Sequence, residues 1–370
     1  MENLVLKTDK FKESCAIIKS AIDSKNISLY TETLMLCTKE NILYLNITNR
    51  EYYCKVKFVL DEPVTFKAAV NAKLFLDLIT KMTSDTITLE TDGRAVHIKG
   101  NGSYKIPIIF DNDVMLELPE IRLENITNTM SINSDILQDI LIYNSRELQR
   151  GIPRQPVQTY YYVDEHGAIT FTSGACVNSF NLEKPVRLLL SEKVVKLFKF
   201  FRDTDSVKFT MSQDKISNDL IQTRVMFESD VVTLTAILAE NNLISTVPVD
   251  HIRNIASKNY LYSVVLNRDE LSSALDRLML FNVDKNCGRL EFSDTKLYIS
   301  DWSGENKEEI TIQNDVGIQE NYSAILNMNT LNLVLAGCKD EYVTLCFGDS
   351  KAFVIKKQNI TDVIPEMREN

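Results

Sequence analysis

The feature of this chain that most constrains its fold is a repeat of about 60 residues. Six times, a polar residue precedes a short amphipathic helix pattern, which is followed by strand-like alternation. The polar residues, spaced by 63, 62, 58, 76 and 60 residues, are Thr8, Asn71, Asn133, Ser191, Asn267 and Asn327. Residues of these types cap helix N-termini. Because a unit of this size buries little apolar surface alone, the units must pack on one another.

Each polar residue opens a predicted helix, and the same elements follow in the same order every time. The predicted helices cover residues 8–25, 71–82, 133–150, 191–202, 267–279 and 327–339. After each helix come short apolar-polar alternations joined by turns, of which Asp92-Gly93 is a strong hairpin signal. This order predicts an α+β fold with antiparallel sheets and argues against a doubly wound parallel sheet.

The six units group most simply into three tandem domains of two helix-plus-sheet units each. The predicted domain bounds are 1–122, 129–248 and 259–370. The polar stretch at 111–128, which contains Pro119, is predicted to be the first linker, and residues 245–260 the second. A polar stretch at 212–223 is expected to lengthen the fourth unit.

Composition excludes several classes of protein. No apolar run approaches the ~18 residues that a membrane span needs, and the start lacks the basic and apolar regions of a signal peptide. The seven cysteines are odd in number and scattered, and no CxxC pair occurs. This pattern favours reduced, buried thiols in a cytoplasmic protein over a disulfide framework.

Motifs for catalysis are missing from the sequence. There is no phosphate-binding loop, no dinucleotide-type glycine pattern and no nucleophile elbow. The three histidines, which show no metal-ligand spacing, are His97, His166 and His251. The carboxylate pairs at 111–113 and 203–205 could seed a two-metal nuclease site, but such pairs are typical of turns. We therefore predict no enzyme, no cofactor and no metal, with a metal-dependent nuclease as a remote alternative.

Charge is distributed unevenly along the chain. The net charge is −10, yet the six predicted helices carry +4 and the remainder −14. One interpretation is a chance scatter of lysines on solvated faces. The other is a surface built from these helices that faces phosphate groups while the rest of the protein stays acidic.

The helix at 191–202 is the most basic of the six. Its cations are Lys193, Lys196, Lys199 and Arg202, with Glu192 as the one acidic residue. The interleaved aromatic residues Phe198, Phe200 and Phe201 are expected to pack in the core. The lysines belong either to a solvated face or to a surface that contacts phosphate without reading bases, because a flexible point charge can follow a backbone in any register.

Several segments, taken in order, resemble the bacterial DNA polymerase sliding clamp, the beta subunit of the replicative holoenzyme. The segments are residues 4–11, 66–79, 92–104, Leu118-Pro119, 325–335, 342–347 and 363–368. The resemblance runs nearly end to end but is divergent, and the order of the segments is more specific than any one of them. This degree of divergence suggests a phage or mobile-element origin.

The resemblance implies a homodimeric ring of six domains, with helices lining the pore and sheets outside. Such a ring encircles duplex DNA without sequence specificity and tethers the replicative polymerase. The residues expected to face DNA are Lys10, Lys12, Lys19, Lys25, Lys73, Lys81, Arg146, Arg150, Lys193, Lys196, Lys199, Arg202, Arg277 and Lys339. The surfaces expected to close the ring lie near residues 67–81 and 269–286.

The resemblance also implies an apolar cleft that binds short peptide motifs of a DNA polymerase and a clamp loader. The matching residues are Thr172, Gly174, Val177, Leu243, Thr246, Val247, Pro248, Val363, Ile364, Pro365 and Met367. Ala175-Cys176 replaces the family's His-Arg pair, and Glu366 interrupts its Pro-Met step, so the cleft is expected to accept a different peptide. A protein-interaction scaffold of the same fold that does not encircle DNA is the alternative function.

Overall fold

The computed structural model describes residues 3–22, 28–216, 221–239, 241–281, 286–318, 322–348 and 350–368. Within these ranges each of the six repeats forms one strand, one helical segment and three further strands. All strand pairs are antiparallel. The predicted α+β class with antiparallel sheets is therefore confirmed.

The first two repeats cover residues 4–107. The first consists of β1 (Leu4–Lys7), α1 (Thr8–Lys19), β2 (Thr33–Lys39), β3 (Ile42–Thr48) and β4 (Tyr52–Val59). The second consists of β5 (Lys67–Asn71), α2 (Ala72–Lys81), β6 (Thr86–Thr91), β7 (Ala95–Lys99) and β8 (Ser103–Pro107). A small two-stranded ribbon, β9 (Phe110–Asp111) and β10 (Val114–Met115), follows them.

The third and fourth repeats have less regular helices. The third consists of β11 (Ile126–Asn133), α3 (Ser134–Asp139), a π-helical turn (Ile140–Asn144), α4 (Ser145–Arg150), a 3₁₀ helix (Pro156–Thr159), β12 (Tyr160–Asp164), β13 (Gly167–Phe171) and β14 (Ala175–Ser179). The fourth consists of β15 (Arg187–Ser191), α5 (Glu192–Val195), a 3₁₀ helix (Lys196–Phe201), β16 (Ser206–Lys215), β17 (Ile221–Glu228) and β18 (Val232–Ile237). The predicted helix at 191–202 is thus mostly 3₁₀.

Two additional helices precede the last two repeats. They are α6 (Asn241–Ile244) and α7 (Val249–Ser257). The fifth repeat consists of β19 (Tyr262–Asn267), α8 (Arg268–Met279), β20 (Cys287–Phe292), β21 (Lys296–Ser300) and β22 (Lys307–Thr311). The sixth consists of β23 (Tyr322–Asn327), α9 (Met328–Leu335), β24 (Tyr342–Phe347), β25 (Ala352–Lys357) and β26 (Ile360–Pro365).

Repeats one and two, three and four, and five and six exchange their first strands. In the first pair, β1 joins β6, β7 and β8, while β5 joins β2, β3 and β4. In the second pair, β11 joins β16–β18 and β15 joins β12–β14. In the third pair, β19 joins β24–β26 and β23 joins β20–β22. Neither member of a pair can therefore complete a four-stranded sheet alone.

Four of these six sheets are joined through the last strands of their repeats. β4 pairs with β18, with Val56 opposite Val232, and this join makes one eight-stranded sheet. β14 pairs with β26, with Ala175 opposite Val363, and this join makes a second. The two remaining sheets have four strands each and end at β8 and β22.

The chain forms two compact units. One contains residues 1–137 and 196–240, and the other contains residues 138–195 and 241–370. Each unit holds one eight-stranded and one four-stranded sheet. The three domain bounds expected from the sequence stay a prediction.

Aromatic side chains form the centre of the core in each unit. In the first unit, Phe11 of α1 lies edge-on to Phe75 of α2, with ring centroids 6.3 Å apart. In the second, Phe347 packs on Phe292 and Phe353, at 4.2 and 5.0 Å. All five rings are fully buried. The helical residues Phe11 and Phe75 therefore point inward as their spacing predicts, whereas Leu74 of α2 is 52% exposed.

Five of the six predicted helix caps are confirmed. For example, Asn71 Oδ1 accepts a hydrogen bond from the Leu74 N–H at 2.9 Å, and Asn267 Oδ1 accepts one from Glu270 at 3.0 Å. Thr8 is the exception, because the helix begins at Thr8 itself and its buried hydroxyl has no hydrogen-bond partner among the described residues.

Two predicted irregular segments are regular in the structure. Residues 212–215 continue β16 and residue 221 begins β17, so most of the described part of the stretch at 212–223 is strand. Residues 249–257, predicted to be a linker, form α7. Their spacing Val249, Ile252, Ala256 is helical, and Ile252 and Ala256 are buried.

All seven cysteines are free thiols, and six of them are buried. Burial raises the pKa of the Cys54 thiol to about 12, and it raises that of Cys15 further. The expected burial is confirmed for these six thiols, and a thiol with a raised pKa forms little reactive thiolate.

The contrast between Asn71 and Thr8 gives a test of the capping interpretation. We expect Asn71→Ala to lower the free energy of unfolding by about 1 kcal/mol, because the Leu74 N–H loses its acceptor. Thr8→Val should be neutral or stabilising, because it replaces an unsatisfied buried hydroxyl with a methyl group of the same shape. Chemical denaturation measures both values. A large loss of unfolding free energy in Thr8→Val would contradict the assignment of the Thr8 hydroxyl as buried and unsatisfied.

Candidate nucleic-acid interface and peptide cleft

The lysines on α1 and α2 lie on the solvent side of that helix pair. Phe11, Cys15 and Ile18 face the core, which leaves Lys10 and Lys19 on the exposed face of α1. Lys12 is half-buried, and the exposed lysines of α2 are Lys73 and Lys81. Lys25 lies outside the described residues.

One of these lysines connects the two helices. Lys19 Nζ lies 2.6 Å from Asp77 Oδ1 of α2. The hydrogen bond from Lys19 is the main cause of the lowered pKa of the Asp77 carboxyl, and Lys73 and Lys81 contribute. Asp77 is therefore a counterion within a predominantly basic surface.

The 3₁₀ helix Lys196–Phe201 combines a buried aromatic face with a basic face. Phe198 and Phe201 are fully buried and pack on Phe227 of β17, at 5.0 and 6.4 Å between ring centroids. The core interpretation of these two aromatics is confirmed. The exposed cations are Lys196, Lys199 and Arg202, and Lys193 of α5 is half-buried.

Arg277 and Arg146, in the later repeats, are less available to phosphate groups than the lysines of α1 and α2. Arg277 of α8 forms a bidentate ion pair with Glu308 of β22, at 2.7 and 2.8 Å. Arg146 of α4 is half-buried beside Tyr143 and close to Gly337, where a Cβ atom would lie 2.1 Å from Arg146 Nη1. Lys339 is exposed.

Arg150 is not a surface residue, and the structure removes it from the DNA-facing set. Its side chain is 2% exposed and lies at the end of α4. Arg150 Nη1 is 2.7 Å from Asp362 Oδ1 of β26 and 3.0 Å from Glu147 Oε2. Lys357 Nζ lies 2.8 Å from the other oxygen of Asp362. A guanidinium held between two buried carboxylates has no access to phosphate.

These buried charges join α4 to the strand that carries the predicted C-terminal wall of the cleft. Glu147 Oε1 accepts hydrogen bonds from the Thr172 N–H at 3.1 Å and from the Thr172 hydroxyl at 2.7 Å. Burial raises the pKa of the Glu147 carboxyl, although Arg150 opposes that shift. One network therefore fixes both Asp362 in β26 and Thr172 in the turn before β14.

Several of the predicted cleft residues come together around this turn. A Cβ atom on Gly174 would lie 2.4 Å from Val363 O and 3.4 Å from Pro365 Cδ, so the turn approaches β26 as closely as only glycine allows. Val177 lies opposite Thr361 on the same face as Val363. Thr172, Gly174 and Pro365 are partly exposed, whereas Val177 and Val363 are 5% and 7% exposed.

Ile364 cannot line the cleft, and that assignment is wrong. Its side chain is fully buried in the apolar core with α8 and α9. Successive strand residues point to opposite faces, so Val363 and Pro365 share a face that Ile364 does not. Met367, beyond the strand, is 42% exposed.

Helix α7, missed in the sequence, covers part of the same face. It packs against β14 and β26, and it follows directly after Val247-Pro248. Val247 is 8% exposed, while Leu243 is half-buried and Thr246 and Pro248 are exposed. The helical spacing of Ile252 and Ala256 was the signal that could have identified it.

An ion pair anchors α7 to the sheet. Arg253 Nη2 lies 2.6 Å from Asp164 Oδ1 at the end of β12. Burial disfavours the charged form of Asp164, but the hydrogen bonds from Arg253 and from the His166 N–H outweigh it and lower the pKa of the carboxyl. The helix is thereby fixed beside the predicted cleft.

The substitution of Ala175-Cys176 for a basic pair changes the chemistry at this position. Cys176 is fully buried and lies opposite Asp362 in the sheet. Burial raises the pKa of its thiol well above the usual value, and the Asp362 charge adds to the shift. Cys176 therefore points to the buried face of the sheet, and Ala175, opposite Val363, is the residue of this pair on the cleft face.

No helix in the described ranges is long and apolar enough to cross a bilayer. Among the same residues, no group of three or more histidine, cysteine or carboxylate side chains has the arrangement of a metal site.

The buried position of Arg150 gives a direct test. We expect Arg150→Met to lower the free energy of unfolding by about 3–5 kcal/mol, because it leaves Glu147 buried without a cation and Asp362 with Lys357 alone. Lys199→Met, at an exposed position, should change it by less than about 0.5 kcal/mol. Denaturant titration measures both. Equal small effects would place Arg150 at the surface after all.

Comparisons of sequence and of structure with known proteins both support the resemblance to beta sliding clamps. No protein-family model matches the chain. The beta sliding clamp of Mycoplasmopsis pulmonis is 30% identical over 125 residues, which is 33% of this chain and 32% of that protein's own length. The sequence match therefore spans about a third of that relative.

Solved structures match over the whole chain. The DNA polymerase III beta subunit of Pseudomonas aeruginosa has a TM-score of 0.80 at 16% identity, covering 99% of this chain and 100% of that one. The beta clamp of Helicobacter pylori, solved with a DNA ligase peptide, has a TM-score of 0.78 at 16% identity and the same coverage. That of Thermotoga maritima has 0.77 at 14%, covering both chains fully.

These relatives come from bacteria, so they give no support to a phage origin. The fold resemblance inferred from the order of the short segments is confirmed over the full length. This chain has the fold of the bacterial beta sliding clamp, and about a third of it is similar in sequence to one such clamp.

Proposed function

We propose that this protein is a non-enzymatic DNA sliding clamp, a homodimeric ring that encircles duplex DNA and tethers a polymerase. The observation that carries the proposal is the pair of four-stranded sheets ending at β8 and β22. In both eight-stranded sheets the join is made by the third strand after a helical segment, β4 with β18 and β14 with β26. β8 and β22 occupy the same position in their own repeats.

If the last strands of all six repeats pair in the same way, β8 of one copy pairs with β22 of a second copy. Two such joins between two chains form a closed ring, in which every repeat contributes its last strand to an eight-stranded sheet. Closing the sheets also removes exposed edges that would otherwise promote aggregation. Each join pairs two different strands, β8 of one copy with β22 of the other. A twofold axis relates the two joins.

The backbone of β8 has the orientation that such pairing needs. Ala95, opposite Pro107, uses its N–H for Asp92 Oδ1 at 2.7 Å rather than for β8. Hydrogen-bonded and non-hydrogen-bonded pairs alternate along an antiparallel ladder. Lys105, two residues from Pro107, therefore directs its N–H away from β7 towards the open edge.

Exposed apolar side chains occur in the same two repeats. In the second repeat, Leu74 of α2 is 52% exposed and Tyr104 of β8 is 39% exposed. In the fifth repeat, Leu280 and Phe281, which follow α8, are 79% and 58% exposed. We propose that these side chains become buried when the ring closes, which extends the surfaces expected near residues 67–81 and 269–286.

DNA contact would come from the exposed lysines and arginines of the helical segments. The proposed set is Lys10, Lys12, Lys19, Lys73, Lys81, Lys193, Lys196, Lys199, Arg202, Arg277 and Lys339. Lysine–phosphate contacts are numerous, weak and independent of sequence, which suits sliding. Arg277 would have to exchange its Glu308 partner for phosphate, and half-buried Arg146 is the weakest candidate.

Partner peptides would bind beside α7 and the Thr172–Gly174 turn. The support is the grouping of Thr172, Gly174 and Pro365 around a common face, and a related clamp that was solved with a DNA ligase peptide. We propose that a DNA polymerase and a clamp loader use this cleft. Ala175, on the face of Val363, offers no cation there, which favours a peptide without an acidic residue at the corresponding contact.

The dimer proposal predicts a specific effect at the β8 edge. Lys105→Pro should convert a particle of twice 42.2 kDa into one of 42.2 kDa, because proline removes the outward N–H without disturbing the ladder to β7. Light scattering over a dilution series measures the mass. Lys105→Ala keeps the N–H and is the matched control.

Two results would count against this interface. A wild-type monomer at every concentration would mean that the chain does not close a ring by itself. A dimeric Lys105→Pro variant would mean that the copies associate through another surface.

Encirclement predicts that DNA retention depends on DNA topology. Protein loaded on nicked circular DNA should stay bound through gel filtration and should be released when the circle is cut once. Replacing Lys73 and Lys199 with glutamine should lower the salt dependence of binding, with a slope reduced by roughly 0.9 per lost phosphate contact. Equal retention on linear and circular DNA would favour a protein-interaction scaffold instead.

A further inference from the structure

A second basic surface lies on the face of the sheet opposite α1. Along β4, Cys54 and Val56 are fully buried on the side where α1 packs. Because strand residues alternate, Tyr53, Lys55 and Lys57 point to the other side. Lys55 and Lys57 therefore cannot share a surface with the lysines of α1, and the proposed DNA contact does not use them.

Part of this surface already holds an acidic segment of the same chain. Residues 116–125 cross the sheet, and Glu117 Oε1 lies 2.5 Å from Lys67 Nζ. Glu120 Oε1 lies 3.0 Å from Lys55 Nζ. Between them, Leu118 is 7% exposed and packs in a small apolar cluster with Met35 and Tyr53. An extended segment with carboxylates on both sides of an apolar residue thus fits this face.

Beside the crossing segment, an open groove of about 1,090 Å³ continues along the sheet. Five basic and three acidic side chains line it, in a protein whose net charge is −10. Lys57 lies 3.2 Å from Glu228. Lys39, at the end of β2, is exposed and has no carboxylate within ion-pair distance among the described residues. The groove therefore has positive charge that the chain itself does not neutralise.

We propose that this groove binds an extended acidic segment of a partner protein, with one carboxylate at Lys39 and a second that takes the place of Glu228 at Lys57. The crossing segment 116–125 shows the mode: two carboxylates three residues apart pair with lysines while an apolar side chain between them packs on the sheet face. Glu117 and Glu120 also limit the site, because they occupy Lys67 and Lys55. This site is separate from the peptide cleft and does not depend on the proposed encirclement of DNA.

Carboxylates suit the groove better than single-stranded nucleic acid does. Nucleic-acid grooves need exposed aromatic rings on which bases stack. Tyr53 is 6% exposed, and Lys55 Nζ already lies 5.6 Å from the ring centroid of Tyr44. The surface therefore offers exposed cations, whereas one of these rings is buried and the other is half-buried beside Lys55.

Fluorescence polarisation with a labelled peptide tests the proposal on the full-length chain. The probe copies residues 116–121, Leu-Glu-Leu-Pro-Glu-Ile, and the control peptide carries glutamine in place of both glutamates. We expect weak, salt-sensitive binding of the first peptide only. The double variant Lys39→Gln/Lys57→Gln should weaken it by about three- to tenfold, since each exposed ion pair contributes little.

Two further variants make the test specific. Glu117→Gln/Glu120→Gln should strengthen binding by a similar factor, because it frees Lys67 and Lys55. Lys7→Gln/Lys215→Gln removes the same charge from exposed positions outside the groove and should leave binding unchanged. Thermal melting of all three variants checks that the fold is retained.

Three outcomes would overturn the proposal. The first is no peptide binding even by Glu117→Gln/Glu120→Gln. The second is equal weakening by Lys7→Gln/Lys215→Gln, which would indicate a general charge effect. The third is binding of a labelled oligo-dT probe that is lost in Lys39→Gln/Lys57→Gln while the acidic peptide does not bind, which would assign the groove to nucleic acid.

Discussion

The constraint on which this structure depends is the pairing of strand edges. A sheet edge presents a row of backbone donors and acceptors, and leaving them open invites association with other chains. Here four four-stranded sheets satisfy the edge of their last strand by joining in pairs, through β4 with β18 and β14 with β26. The sheets that end at β8 and β22 have no such join within the described chain. The proposed ring follows if the same pairing of last strands occurs a third time, between β8 of one copy and β22 of another.

The joins are reinforced by side chains that differ from one sheet to the other. At the join of β14 with β26, buried charges connect Arg150, Glu147 and Asp362. Near the join of β4 with β18, an ion pair connects Lys57 of β4 with Glu228 of the next strand, β17, on the exposed face. The backbone pattern is therefore repeated, whereas its side-chain support is local. Because this support is local, the exposed faces of the two eight-stranded sheets can acquire different partners.

Local signals in the sequence predicted the fold well and the sites less well. Asn71 and Asn267 could be identified as caps because a cap acts within one helical turn. Arg150 could not be identified as buried, because its partner Asp362 is distant in sequence and only the sheet join brings them together. Ile364 was misassigned because the resemblance transferred consecutive residues of β26 to the cleft, although neighbouring strand residues face opposite sides. Helix α7 was hidden by the polar composition around its buried positions.

The exchange of first strands also has a consequence for synthesis on the ribosome. β1 emerges long before its partner β6, and β11 emerges before β16. The nascent chain must therefore keep each early strand unpaired until the second repeat of the pair has been translated. Folding should then proceed in steps of two repeats rather than one, and a translational pause within a pair would expose an apolar strand to chaperones or to misfolding.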